Sequence, residues 1–478
     1  MRRSLPVLAV ALLAAALSAA CPQPSSRPGR PGSQRKGASG NGLSVMLVTI
    51  DTLRADHLGA YGYRRATSPA IDALARRGVV FDAAYTYWPK TRGSFVAIHT
   101  GRLASQSGYG KTHPLLVDFN PTLASVLQGA GYDTAAIVDN PNVASSLGYA
   151  KGFARYRETW EEKGLASEMD RARAITADAA AYLAAASPEK PFFLWLHYVN
   201  PHAPYEPPTP WDAAFLDTAA ASGPVLQPVA GFHGGVPRQW ARAGQRLGWY
   251  VAQYDGEIAA ADAEVGRVLQ ALDASRVRDR TVVLLSSDHG ESLGEHGYFF
   301  DHGENLFDPS QRIPLILAGP GIGAGGRSDA LATTLDFVPT LLDAVKVSYP
   351  ADLAGLSLLG AAAGRPDEKR ERLPGQNDRN LLGAWGRRYK IVATPDEHGS
   401  RYALYDRAQD PGETRDVGAA RPEALREERR ALELFRERID AQLARTRRLL
   451  EGRSGEERLS AEACERLKAL GYVLPGCD

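Results

Sequence analysis

Three positions in the chain place an acid or an imidazole at the end of a run of strand-forming residues. Asp51 follows VMLVTI, Asp288 and His289 follow TVVLLSS and precede Gly290, and His197 sits inside PFFLWLHYV with Asn200, Pro201 and His202 just beyond it. Ligands of open α/β sheets gather at the carboxyl ends of the strands, so these side chains stand where chemistry is done. Asp51, Asp288 and His289 supply two carboxylates and an imidazole, a set suited to a divalent cation such as Zn²⁺ or Mn²⁺, whereas Ca²⁺ takes more oxygens. Each acid alone reads equally as a helix cap; together they read as a metal site.

Positioning them requires alternating strands and helices. Residues 45–50 form a short apolar, β-rich run of the kind buried in parallel sheets. SPAIDALARR (68–77) has Ile71, Leu74 and Ala75 at helical spacing, Ser68 as cap, Pro69 in the first turn and Gly78 after it. The same reasoning predicts helices over 121–128, 170–185, 256–272 and 335–344 and strands over 134–138, 191–199, 281–286 and 314–318. That alternation predicts an α/β domain over 44–365 with a mostly parallel central sheet covered on both faces. Residues 207–244, rich in Pro, Gly and Ala without a period, predict an insertion over the sheet edge that shapes the substrate pocket. Composition shifts to Gly, Pro and charge around 361–379. Beyond it, short strands over 381–385, 389–393 and 402–405 predict a small antiparallel sheet in a subdomain spanning 366–420, followed by a helical tail, 421–478. Residues 421–451 carry Arg, Glu, Ala and Leu at helical spacing, a charged amphipathic helix packed on the domain.

The 478 residues are 44% hydrophobic and 23% charged, which excludes a disordered or fibrous chain. With 56 basic and 55 acidic residues there is no bulk basic field, and nucleic acid is excluded as a partner. The balance is uneven: residues 1–40 hold six basic residues and no acid, leaving 50 basic against 55 acidic residues in the remainder. Arg2 and Arg3 precede an apolar run, Leu5 to Ala20, that ends in Ser18-Ala19-Ala20 before Cys21. This reads as an export signal over 1–20, short for a membrane span of roughly 20 residues. Cys21 stands where a lipoprotein signal places its acylated cysteine, so the expected location is periplasmic or cell-surface with a lipid anchor, the alternative being secretion after a small-residue cut. Residues 21–43 read as a flexible tether. Cys464 and Cys477 can close a short loop in an oxidising compartment, and the sequence leaves their pairing open.

Seven segments, in order, resemble the sulfatase family: IDTLRADHLGAYGY (50–63), TRGSFVAIHTGR (91–102), PFFLWLHYVNPHAPYEPP (191–208), YDGEIAAAD (254–262), SSDHGESLGEHG (286–297), HGENLFDPSQRIPLI (302–316) and LDFVPTLLDA (335–344). RYKIVATP (388–395) and ALYDRAQDPGE (403–413) resemble the family's small carboxyl-terminal subdomain. The resemblance implies the three-layer sandwich of the alkaline phosphatase superfamily and a metal-dependent hydrolase of sulfuric or phosphoric esters.

It also exposes a departure. The family nucleophile is a Cys or Ser converted to formylglycine, in a motif that continues with any residue, Pro, Ser and Arg. Counting back from Thr100-Gly101-Arg102 puts Thr91 at the nucleophile, Gly93 at the Pro, Ser94 at the Ser and Phe95 at the Arg. Threonine cannot become formylglycine. The implied cofactor is one divalent ion (Zn²⁺, Mn²⁺ or Ca²⁺) held by Asp51, Thr91, Asp288 and His289, with Thr91 as a nucleophile whose alcohol pKa the ion lowers. His202 in PHAPY and His302 in DHGENLFD match positions that assist the leaving oxygen. Lys90 and Arg92 flank Thr91, and Asn140, in AIVDNPNV where the family usually has a Lys and a His, is a candidate substrate donor. The expected function is an exported hydrolase or transferase of small or polymeric sulfate, phosphate or phosphonate esters. A true sulfatase working without formylglycine and a catalytically silent binding protein are the alternatives.

Overall fold

The strand β1 (Ser44–Ile50) is buried along its whole length, as a strand without a polar side must be when it lies mid-sheet under helices on both faces. The computed structural model describes residues 40–110, 116, 118–365 and 370–451. In chain order it continues with α1 (Pro69–Arg77), β2 (Gly78–Tyr85), α2 (Thr91–Thr100), α3 (Leu123–Gly129), β3 (Asp133–Val138), β4 (Arg155–Glu158), α4 (Glu168–Ala185), β5 (Phe192–Tyr198), α5 (Leu247–Ala274), β6 (Thr281–Ser287), β7 (Leu315–Ala318), β8 (Gly326–Thr333) and α6 (Phe337–Ala344). The eight strands form one sheet in the order β8-β2-β7-β6-β1-β5-β3-β4, in which β7 alone runs antiparallel to its neighbours.

Alternate residues of the central strands feed two cores. Val45, Leu47, Trp195 and Leu284 meet Phe95 and Ile98 of α2, Leu127 of α3 and Leu341 of α6 on one face. Met46, Val48, Leu194 and Leu285 meet Ile71 of α1, Ile175 of α4 and Val265 of α5 on the other. This is the three-layer sandwich. The small antiparallel sheet follows as β9 (Leu373–Gln376), β10 (Leu382–Trp385), β11 (Tyr389–Asp396) and β12 (Gly399–Asp406), and α7 (Pro422–Glu451) packs on it through Leu432 and Ile439.

Several sequence expectations change. β2, β4, β8 and α2 are additional elements, and α5 begins at Leu247 rather than 256. Residues 207–244, expected over the sheet edge, make hydrogen bonds and an ion pair with other loops: Gly234 N donates to Gly297 O (2.9 Å), Phe299 N donates to Phe232 O (2.7 Å), and Arg65 pairs with Asp217 (2.6 Å). Asn41, expected in the tether, hydrogen-bonds to Ala344 and Val345 and belongs to the fold. The export signal, Cys21, Cys464 and Cys477 lie outside the described residues. No helix among the described residues is long and apolar enough to cross a membrane.

Candidate active site

The sheet order β6-β1-β5-β3 brings four strand ends side by side. Ile50 pairs with Ser287 of β6 and Tyr198 of β5, so the next residues, Asp51 and Asp288, project together, while Asn140 arrives from the end of β3. The turns are tied by hydrogen bonds: Ser287 Oγ donates to Ile50 O (2.6 Å) and accepts from Leu53 N (3.0 Å), and Asp51 N donates to Tyr198 O (2.9 Å).

Asp51, Asp288 and His289 are fully buried. His289 Nε2 lies 3.7 Å from Asp51 Oδ1 and 3.3 Å from Asp288 Oδ2. Its Nδ1–H donates to Gly290 O (3.0 Å), since a carbonyl only accepts, and this leaves the Nε2 lone pair facing the carboxylates. Asp51 Oδ1 and Asp288 Oδ2 have no hydrogen-bond partner among the described residues. One donor atom from each of the three residues lies within 4.8 Å of the others. Orphaned buried carboxylate oxygens facing an imidazole lone pair are what a divalent ion satisfies, so these residues fit the implied metal. Burial pushes the carboxyl pKa of both acids up, with Asp51 adding to the effect at Asp288, and burial pushes His289 down.

Thr91 is the first residue of α2, with its Oγ1 3.2 Å from His289 Nε2. The amino-terminal end of a helix favours a nearby anion. Ser94, one turn on, donates to Asp288 O (2.7 Å) and ties α2 to the end of β6. The family's Pro and Arg positions have physical explanations here: a Cβ at Gly93 would enter the Trp88 indole, and Phe95 is buried against Trp195 and His197, with ring centroids at 5.2 and 4.7 Å.

His302 lies over His289, ring centroids 4.0 Å apart, and His202 lies 5.4 Å from His302. His202 Nδ1–H donates to Ala203 O (2.7 Å), leaving Nε2 free. His302 Nδ1 meets Glu291 Oε1 at 3.1 Å, and burial pushes this imidazole down. Lys90 is exposed at the helix entrance. Two predicted substrate contacts are otherwise engaged. Arg92 Nε donates to Asn142 Oδ1 (3.1 Å), and Asn140 is 2% exposed, its Nδ2 donating to Asp51 Oδ2 (2.5 Å) and its Oδ1 accepting from Asn142 N (2.8 Å).

Sequence reasoning missed Glu291, and placed Ser94 in the nucleophile motif without giving it a role. Glu291 stands two residues past the ligand pair, and its acid in DHGE was a signal that could have been read.

Residues 44–347 match the family described as Sulfatase, and residues 294–433 match that described as N-sulphoglucosamine sulphohydrolase, C-terminal. The chain belongs to the sulfatase family and is a sulfatase-like ester hydrolase. It is similar to a delta 4,5-hexuronate-2-O-sulfatase of Bacteroides thetaiotaomicron, 27% identical over 420 residues that cover 78% of this chain and 84% of that protein. An arylsulfatase of Clostridium perfringens is 25% identical over 400 residues, 70% of this chain and 81% of that one. Among solved structures, a phosphonate monoester hydrolase of Agrobacterium radiobacter shares the fold with a TM-score of 0.69 at 21% identity, covering 84% of this chain and 96% of that chain.

Proposed function

We propose that this protein cleaves a sulfuric or phosphoric ester with Thr91 as nucleophile, beside a divalent ion held by Asp51, Asp288 and His289. The observation that carries this reading is Thr91 Oγ1, 3.2 Å from His289 Nε2, at the edge of a buried donor set with two unpartnered carboxylate oxygens. A bound ion supplies positive charge that lowers the alcohol pKa of Thr91 and offsets the charge of the transferred group. Thr91 passes its hydroxyl proton to the unprotonated nitrogen of His202 or His302, and its oxygen forms a bond to sulfur or phosphorus as the bond to the leaving oxygen breaks. The same imidazole then hands that proton to the leaving oxygen. Water then adds to sulfur or phosphorus of the threonyl ester, and the threonine oxygen leaves and regains its proton; an acceptor alcohol in place of water would give transfer.

Support for sulfate comes from relatives named as sulfatases, and for phosphorus from the fold shared with the phosphonate monoester hydrolase. Threonine adds its own argument, because without an aldehyde hydrate the covalent ester must be opened at sulfur or phosphorus itself. The test is a panel of aryl sulfate, aryl phosphate, phosphodiester and phosphonate monoester given to the full chain with Zn²⁺, Mn²⁺, Mg²⁺ or Ca²⁺, alongside Thr91→Ala. Turnover of at least one ester, lost in Thr91→Ala, supports the proposal; turnover unchanged in that variant sinks it. The family arginine replaced by inward-facing Phe95 favours a second reading, a protein that binds ion and ester without chemistry. Ion binding with all four esters intact would install it.

We also place the protein outside the cytoplasmic membrane, anchored through Cys21. Incorporation of labelled palmitate that disappears in Cys21→Ala would support that location; equal labelling of both proteins would refute it.

A further inference from the structure

Asp51 has two oxygens in unlike surroundings. Oδ1 has no hydrogen-bond partner and faces His289, whereas Oδ2 is met by Asn140 Nδ2 at 2.5 Å and by His197 Nε2 at 3.8 Å. Asn140 is itself held, because its Oδ1 accepts the Asn142 amide and caps the short helical turn Pro141–Val143. His197 is fully buried and held from behind. Trp195 Nε1, which can only donate, gives its hydrogen to Thr49 Oγ1 (2.9 Å), and Thr49 Oγ1 stands 3.0 Å from His197 Nδ1. Phe95 packs edge-on against the His197 ring.

The direction of that chain follows from its end. A bare Nε2 lone pair opposite a buried carboxylate is repulsive, whereas an Nε2–H there is attractive. With Nε2–H turned towards Asp51 Oδ2 across 3.8 Å, too far for a hydrogen bond, His197 Nδ1 accepts from Thr49 Oγ1, whose one hydrogen otherwise goes to Leu196 O (3.2 Å). We infer that Asn140, through its hydrogen bond to Asp51 Oδ2, and His197, through an N–H directed at the same oxygen across 3.8 Å, are positioning residues that make Oδ1 the atom Asp51 presents to the ion. Asn140 stands where the family usually has cationic substrate contacts, so its carboxamide serves the ligand set in this chain and not the substrate.

This rests on the proposed metal site, and the test separates the two. Zn²⁺ affinity of the full chain is measured by competition with a chelating dye, and the visible absorption of the Co²⁺-loaded protein reports coordination number, since added oxygen ligands weaken those bands. Asn140→Ala is expected to raise the Zn²⁺ Kd about 10- to 100-fold, the range for loss of a partner that orients a metal ligand, and to weaken the Co²⁺ bands as Asp51 is freed to chelate through both oxygens. His197→Phe shifts both in the same direction, Thr49→Val follows it, and His197→Gln, which keeps an N–H within reach, lies closer to the wild type than His197→Phe. A purely structural role would lower the melting temperature of the metal-free protein and leave Kd in place. Asn140→Ala with a Kd within threefold of wild type overturns the inference while the metal site stands. A wild-type chain that binds neither ion overturns the site and the inference together.

Discussion

Thr91 and His99, eight residues apart on one helix, show how differently a single side chain can be used. Thr91 Oγ1 lies 3.2 Å from His289 Nε2, so Thr91→Ala removes the proposed attacking atom but none of the three other donors. The expected outcome is a fall in kcat of roughly 10³-fold or more with the ion still bound, whereas Thr91→Ser keeps measurable turnover; steady-state rates and metal content on the same samples check this. His99 points the other way, into Phe95, Trp195, Tyr149 and Phe153, and neither ring nitrogen has a hydrogen-bond partner among the described residues. Burial, aided by His197, pushes its pKa down to about 3. A folded pKa below the unfolded value of about 6.5 means the unfolded chain takes up the proton first. Stability is therefore present above about pH 6.5 and lost as pH falls towards 3, by on the order of 4 kcal/mol. His99→Phe, which fits the aromatic surroundings, should remove that loss. Denaturant midpoints of the two proteins should diverge progressively below pH 6.5, and parallel curves would refute the assignment.

At the scale of elements, the small sheet holds the loop that carries His302. Lys390 of β11 is fully buried and pairs with Asp308 (2.6 Å) and Glu413 (2.5 Å), while Arg407 pairs with Asp308 (2.9 Å). Asp308 is pushed up by burial, but Lys390 and Arg407 outweigh this and hold it down at about 2. Asn377 Nδ2 donates to Gly303 O (3.0 Å), next to His302. Lys390→Met leaves the buried Glu413 and the partly buried Asp308 short of a cation, and the expected cost is roughly 3–5 kcal/mol, seen as a lower melting temperature with turnover reduced through the 302–308 loop. This coupling could not be read from RYKIVATP, because the lysine meets its partners only across 82 residues in one direction and 23 in the other. β1, β5 and β6 were legible because strands buried on both faces are continuously apolar. β2 and β8 were not, since Asp82, Arg327 and Asp329 interrupt the pattern where the sheet reaches its edge and one side meets water. The grouping of Asp51, Asp288 and His289 was legible from their place at strand ends. Asn140 was visible as a candidate, but its contact with Asp51 depends on β5 lying between β1 and β3, which residue order does not disclose.

For the whole molecule, ion binding and folding are linked through the buried acids. Without an ion, two carboxyl groups stand together in a buried site, and burial pushes both pKa values up, with Asp51 adding to the effect at Asp288. Below the raised pKa they hold protons that an ion must displace, so ion binding releases protons and affinity rises with pH through that range. The carboxylate form is costly in the metal-free fold, which makes the ion a stabilising ligand of the native state, worth about 2.7 kcal/mol at a free concentration 100 times Kd. Adding Zn²⁺ or Mn²⁺ to chelator-treated protein should therefore raise its melting temperature, with a larger increment at the higher of two pH values. Asp288→Ala should show almost none of this increment at either pH, because it removes both a ligand and the repulsion. Calorimetry in two buffers of different ionisation enthalpy would show the released protons as a buffer-dependent heat. Ion-induced stabilisation of equal size in wild type and Asp288→Ala would move the site away from these strand ends.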